Sequence, residues 1–279
     1  MAGLVGVVTP HVGRWWFGEV VAGLDAVLRP AGLDMLLHPV PDAEARAAFF
    51  AGLAARRHLD AVVVVALPLT AAEAAALRAT GLPVGSVGLL VPGLASVAID
   101  EHAAARDVTD HLLDLGHRRI AIVGGDPNEP IGFPLARQRR LGYRYALSAR
   151  GVEVDPALDV PGYWTLRGGV AAARRLLALP EPPTAVFAMS DEMAMGVLRE
   201  LQVRGVDVPG QVSVAGFDNH PDAEVFGLTT MEQPAHDNAA RLAAAIVRRL
   251  GRTDRSAEHY VNGHRRLVVR DTTGPAGPC

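Results

Sequence analysis

Short runs of β-branched and apolar residues recur along the chain, and between most of them lies a stretch of helical length rich in Ala, Leu and Arg. That alternation constrains the fold more than any other feature of the sequence. The strand candidates are GLVGVVT (3–9), LDMLLHPV (33–40), DAVVVVA (60–66), PVGSVGL (83–89), SVAID (96–100), RIAIVGG (119–125), TAVFAM (184–189) and VSVAGF (212–217). Amphipathic periodicity predicts helices over residues 15–29, 42–57, 70–80, 101–115, 135–150, 166–179, 191–204 and 235–250. Gly81, Gly116, Gly151, Gly205 and Gly251 sit where these helices need a left-handed cap. Strands that are apolar on nearly every residue, joined by helices, predict parallel sheets covered on both faces. With 279 residues the chain can hold one large domain or two small ones. The βα units outnumber those of one compact open sheet, so two doubly wound lobes are expected. In such sheets ligands bind outside the carboxyl ends of the strands, and Asp218 lies one step past the strand at 212–217. No internal repeat is evident, and the closing TTGPAGPC reads as disordered.

Composition excludes several chemistries. All 27 cationic residues are arginine, so a Schiff-base lysine, a pyridoxal-phosphate anchor and a Walker-type phosphate lysine are impossible. The only cysteine is Cys279, which removes disulfides and thiolate metal clusters. A formal charge of −3 gives no electrostatic case for nucleic-acid binding by the chain itself. The longest apolar run, AVVVVALPL, is too short to span a bilayer, and MAGLVGVVTP has no basic segment ahead of its apolar one. No membrane association and a cytoplasmic location are therefore expected. The 10 histidines form no metal-ligand spacing, and no nucleophile elbow or dinucleotide fingerprint follows a strand. Neither an enzyme nor a metal or other cofactor is expected. The pair Gly124–Gly125 reads as a simple strand-to-loop turn, and Ser190, between strand and helix, as an N-cap.

Binding chemistry has more support. ARQRRLGYRYAL (136–147) sets Arg137, Arg139 and Arg140 on a helix that opens soon after the strand at 119–125. For any single arginine a solvated face is the simpler reading, yet one guanidinium can reach the strand ends. Its planar fork suits vicinal hydroxyls or a carboxylate, and Asp218 suits the same hydroxyl pairs as an acceptor. An acid and an arginine without a nucleophile is chemistry for holding a polyol. Trp164, just ahead of a helix, can stack on a sugar face. His11, Trp15, Trp16 and Phe17 follow the tip of the first strand. One of the two tryptophans is expected to face a ligand and the other to pack, and the sequence leaves open which.

Together these segments resemble the effector-binding core of the lactose-repressor/galactose-repressor (LacI/GalR) family. The motifs are LVGVVTP, RRHLDAVVV, HLLDLGHRRIAIVGG, RQRRLGYRYAL, PPTAVFAMSDEMAMGVL, VPGQVSVAGFDN, LTTMEQP and LVVRDT, spread over nearly the whole chain. The resemblance implies a type I periplasmic-binding-protein-like α/β fold, two doubly wound lobes joined by three crossovers with an effector cleft between them. One lobe would hold residues 1–99 and 235–262, the other 100–234 and 263–273, leaving 274–279 as a disordered tail. It also implies ligand contacts at Arg139, Asp218, Gln233 and Ser190, with Trp164 as a stacking residue and the loop 11–17 contributing from the first lobe. Trp164, Arg139 and Asp218 favour a small-molecule effector that is a neutral or weakly anionic monosaccharide or derivative; a nucleobase or a sugar phosphate stays open, phosphate being disfavoured by the absence of lysine and of a glycine-rich cradle.

The chain departs from the family pattern at three places. Ser190 stands where many members carry Asn, Gly88 ends the fourth strand where an acid is common, and RWWF replaces an N-P-F-F-type segment. No helix-turn-helix precedes the first strand, so operator DNA is an expected partner only through an N-terminal domain absent from this chain. A homodimer is expected through the helices near 15–29 and 191–204 and the strand around 225–231, although Met193, Met195 and Leu198 fit a monomer core equally. The main alternative is the sugar-binding protein of an ABC importer, which shares the fold and predicts an export signal; a second, from a different class, is an enzyme such as a sugar isomerase or hydrolase, which would need a metal-ligand cluster or a paired general acid and base.

Overall fold

The structure, a computed structural model, describes residues 3–56, 58–126, 134–251, 259–261 and 265–277. In chain order it opens with β1 (Gly3–Thr9), α1 (Trp15–Leu28), β2 (Leu33–Pro39), α2 (Ala43–Ala51), β3 (Ala61–Val65), α3 (Ala71–Ala79), β4 (Val84–Val87) and β5 (Ala95–Ala98). It continues with α4 (Glu101–Asp114), β6 (Ile120–Gly124), α5 (Pro134–Ala149), β7 (Asp159–Pro161), α6 (Leu166–Leu177), β8 (Ala185–Ala188) and α7 (Asp191–Val203). The last elements are β9 (Ser213–Asp218), α8 (Asp222–Val225), β10 (Thr229–Glu232), α9 (Ala235–Leu250), β11 (His259–Val261) and β12 (Arg266–Val268). The chain folds into two compact units. One runs to Ile99 and takes back the segment from Pro234 through β11; the other runs from Asp100 to Gln233 and takes the closing segment with β12.

The first unit is a six-stranded sheet in the order β11-β5-β4-β3-β1-β2, parallel throughout. Strand β3 shows why AVVVV carries no polar residue. Val63 and Val65 pack with Val20 and Leu24 of α1 and Leu242 and Ile246 of α9, while Val62 and Val64 pack on the opposite face with Phe49 of α2 and Leu77 of α3. Successive side chains of a strand alternate between faces, so a strand with helices on both sides must be apolar at every position.

The second unit repeats the arrangement, β12-β10-β9-β8-β6-β7, with only β12 antiparallel to its neighbour. Its helices pack in pairs, and Gly142 of α5 is the point of closest approach to α4. A Cβ there would stand 2.2 Å from the His102 carbonyl oxygen, so only glycine lets the two backbones come this close.

Several expectations need correction. The helix expected over 42–57 ends at Ala51; Gly52 closes it and a short 3-10 turn, Leu53–Ala55, follows. Gly81, Gly116, Gly151 and Gly205 have positive φ, but Gly251 does not: its φ is −89°, a conformation open to any residue. The tail is not disordered as far as it is described. Gly274 N–H donates to Ser213 Oγ at 3.1 Å and Ala276 N–H to the Leu115 carbonyl at 2.8 Å. A Gly/Pro-rich segment lacks side chains to bury, yet its backbone groups can still be hydrogen-bonded against a neighbouring surface. Residues 278–279 lie outside the described residues. Met193 and Met195 are buried in the core of their own unit. The strand placed around 225–231 starts only at Thr229, because residues 222–225 form α8.

Candidate functional site

In both units the strand order reverses beside the first strand, between β1 and β3 and between β6 and β8. A crevice forms at such a switch point, outside the carboxyl ends of the strands. In the second unit those ends deliver Gly125 after β6, Met189 and Ser190 after β8, Asp218 at the end of β9 and Gln233 after β10.

Of the four arginines on α5, only Arg139 turns inward; Arg137 and Arg144 are exposed and Arg140 donates from Nε to Asp159 at 2.7 Å. Arg139 lies on the buried face with Gly142 and Tyr143, where the close approach of α4 brings it to Glu101. Its Nε donates to Glu101 Oε2 at 2.7 Å, and the two residues are 3% and 7% exposed. Its Nη1 donates to the Met189 carbonyl. The guanidinium lies over the Phe217 ring, 3.6 Å from the centroid, and 5.7 Å from the Trp164 centroid, within range for cation–π attraction.

Asp218 is buried against this group. Burial pushes its carboxyl well above the ordinary carboxylate range; Arg139 and a hydrogen bond donated by Gln233 Nε2 pull the other way, while the neighbouring Asp191 and Glu101 charges add to the rise. The backbone here is strained: φ is 122° at Asp218 and 59° at Asn219. Non-glycine residues hold such conformations only where surrounding structure overdetermines them, typically at functional sites. The restraints are specific. Asn219 N–H donates to Thr230 Oγ1 at 3.3 Å, its Nδ2 to Glu232 Oε1 at 3.2 Å, and Arg270 Nη2 donates to its Oδ1 at 2.9 Å. Asp191, fully buried, accepts from His220 N–H at 2.7 Å and from Thr230 Oγ1 at 2.6 Å. Burial raises the Asp191 carboxyl to about 6 against these hydrogen bonds.

Trp164 is the second of two consecutive positive-φ residues, Tyr163 at 54° and Trp164 at 57°, and is 7% exposed. A Cβ on Gly125 would lie 2.3 Å from the indole Nε1, so Gly125 is not a simple turn residue; its bareness makes room for Trp164. Ser190 is buried and caps α7, its Oγ accepting from Met193 N–H at 3.3 Å. The structure thus gathers Arg139, Trp164, Asp218 and Gln233, with Ser190 beside them through Met189.

The first unit holds the remaining candidates. Phe17 belongs to its hydrophobic core, with its ring edge-on to His11 at 5.3 Å and to Trp16 at 5.1 Å. Trp16 is the tryptophan that packs: it lies against the same core, and a Cβ on Gly88 would meet its Cη2 at 2.9 Å. The indole therefore fills the space a side chain at position 88 would take. His11 Nε2 and Trp16 Nε1 are buried and make no hydrogen bond. Burial, helped by Arg14, lowers the His11 pKa to about 4, so the ring is neutral at pH 7.

Sequence reasoning missed Glu101, Asp191 and Phe217. An acid in the first turn of a helix is ordinarily explained by the helix dipole, so nothing local marked Glu101 as a buried counterion. Among the described residues no group of three His, Cys, Asp or Glu side chains is placed to hold a metal ion, and no helix is long and apolar enough to cross a membrane.

A model of the periplasmic binding protein-like domain matches residues 109–273. The HTH-type transcriptional regulator CelR of Thermobifida fusca is 32% identical over 92% of this chain and 76% of its own length. The chain belongs to the LacI/GalR family. Among solved structures, a LacI transcriptional regulator from a Rhodococcus species is 30% identical with a TM-score of 0.80, covering 99% of this chain and 100% of that one. A CelR–cellobiose complex is 29% identical with a TM-score of 0.82, covering 98% and 86%. As a LacI-type effector-binding core the chain is a regulator's component and not an enzyme.

Proposed function

We propose that the effector is a monosaccharide or a close derivative and that the strand-end cluster of the second unit holds it. The observation that carries this reading is Asp218, presented in a strained conformation beside Arg139 and Trp164 with a network of hydrogen bonds fixing its loop. Hydroxyl pairs match an acid and a guanidinium edge, and an indole suits the apolar face of a sugar ring. Cellobiose in the CelR complex supports a carbohydrate ligand. Binding acts on transcription by linkage: the effector stabilises whichever conformation it prefers, by its difference in affinity.

A thermal-shift panel of sugars, polyols and nucleosides tests the assignment, repeated on Asp218→Ala. The expected result is a sugar that raises Tm in the wild type and loses at least tenfold in affinity in the variant. A ligand bound equally well by Asp218→Ala places the site elsewhere.

We further infer a homodimer that uses the exposed apolar residues of the second unit, Val203, Val225 and Phe226, at 57%, 83% and 45% exposure. Leu198 and Val206 line the adjoining surface depression. Sedimentation is expected to show a dimer at micromolar concentration and a shift toward monomer in Val225→Glu; a wild type that sediments only as monomer refutes it.

A further inference from the structure

Among the described residues Arg139 is the buried arginine at the strand-end cluster of the second unit, and the fold has already committed most of its guanidinium. Its Nε is held by Glu101 at 2.7 Å, its Nη1 by the Met189 carbonyl, and its face by Phe217. Two of the three guanidinium nitrogens are thus committed inside the protein. The groups around it are acidic: Glu101 in direct contact, Asp218 close enough to feel its charge, and Asp191 behind Asp218. We propose that Glu101 sets the charge class of the effector, pairing with Arg139 so that the site accepts uncharged hydroxyl-bearing sugars and rejects sugar acids and sugar phosphates. The inference rests on the effector site assigned above and adds to it a residue that selects.

The physical reason is competition inside a region removed from water. An incoming carboxylate or phosphate has to take the guanidinium from a carboxylate that is already desolvated and aligned, and the displaced Glu101 would be left buried and unpaired, which is strongly unfavourable. A neutral sugar meets no such obstacle. Its hydroxyls can donate to or accept from Asp218 in either protonation state and accept from the remaining guanidinium nitrogen, with the Arg139–Glu101 pair intact.

Isothermal titration at pH 7.5 with matched pairs, glucose against glucuronate, galactose against galacturonate and ribose against ribose 5-phosphate, reads the selectivity directly. In the wild type the neutral member of any pair that binds is expected to bind at least about tenfold more tightly. Glu101→Gln keeps the shape, frees the guanidinium and is expected to shrink that ratio at least about tenfold. A merely structural role for Glu101 would weaken both members alike and leave the ratio unchanged. The double variant Glu101→Gln/Arg139→Gln removes both charges of the pair together, so that neither Glu101 nor Arg139 is left as a lone buried ion, and is expected to keep the neutral preference even where the single variant does not fold. A uronate or sugar phosphate bound by the wild type as tightly as its neutral parent overturns the inference and leaves the effector site standing. If no sugar of either kind binds, the effector reading itself fails.

Discussion

The two units carry the same strand order, yet they end in opposite chemistry. At the strand ends of the first unit stand His11, Trp16 and Phe17, an aromatic group whose one titratable ring is neutral. At those of the second stand Arg139, Glu101, Asp218 and Asp191, all buried. The topology decides only where a ligand-facing group can stand. Which groups stand there follows from residues outside the core pattern, and among the described residues the buried charges all belong to the second unit. The first unit keeps its ion pairs at the periphery, as in Arg29–Asp25, or half-sunk between helices, as in Arg46–Glu73 at 15% and 16% exposure.

The largest expected effect breaks the buried pair. Arg139→Ala leaves Glu101 without its partner and Asp218 without the charge that favours its ionised form, and removing one member of a buried ion pair typically destabilises by about 3–5 kcal/mol. Chemical denaturation followed by circular dichroism measures it. A loss below about 1 kcal/mol would show that the second unit carries its charges no differently from a surface.

The next experiment probes what the units share. Gly142→Ala puts a methyl 2.2 Å from the His102 carbonyl, and Gly23→Ala puts one 2.2 Å from the His236 carbonyl where α1 meets α9. In both cases the obstacle is backbone, which cannot swing away, so each substitution should lose about 1–3 kcal/mol by overpacking. Similar losses in the two units confirm a common helix-pair design; a loss confined to Gly142 would mean that close approach matters only where it delivers Arg139 to Glu101.

Acid should move the units in opposite directions at their key groups. The His11 pKa is lowered to about 4 from 6.5, so its contribution to stability is fully present above pH 6.5 and is lost as pH falls toward 4. The Asp191 pKa is raised to about 6 from 3.8, so its contribution is fully present below pH 3.8 and is lost as pH rises through 6. Between pH 7 and 5 the Tm advantage of wild type over His11→Gln is therefore expected to narrow on acidification, while that over Asp191→Asn moves in favour of the wild type, by about 2 °C or more. The other perturbed histidines, His38, His111 and His117, remain in both members of each comparison and cancel. Two shifts of the same sign would contradict the electrostatic contrast.

The fold was legible because burial on both faces of a sheet calls for short β-branched runs such as AVVVV without a polar residue, and because glycines such as Gly81 and Gly205 mark helix ends by conformational need. Asp218 was legible for a related reason, being the first charged residue after an unbroken apolar strand. Glu101 was not: its partner lies 38 residues away, and a pairing of that span leaves no periodic trace. The same limit hid the role of Gly125, whose need for space is set by Trp164 on a separate loop, and the docking of the tail through backbone groups. Phe17 illustrates the opposite error. In WWF three adjacent aromatics suggested a shared surface, but a helix rotates successive residues by about 100°, and the third of them faces the core.

The smallest expected effect closes the comparison at the surface of the first unit. Arg29 Nε donates to Asp25 Oδ1 at 3.2 Å, one helical turn apart, with the arginine 76% exposed. The chemical groups match those of Arg139 and Glu101, yet water screens the attraction and ordering two long side chains offsets much of the gain. Arg29→Ala should therefore change stability by no more than about 0.5 kcal/mol, and the change should vanish in 1 M salt, where charges are screened within about 3 Å. The loss in Arg139→Ala should persist there, because solvent ions cannot enter the buried cluster. A salt-sensitive Arg139→Ala would mean that the cluster is open to water, and the distinction between the two strand ends would then be one of residue type alone.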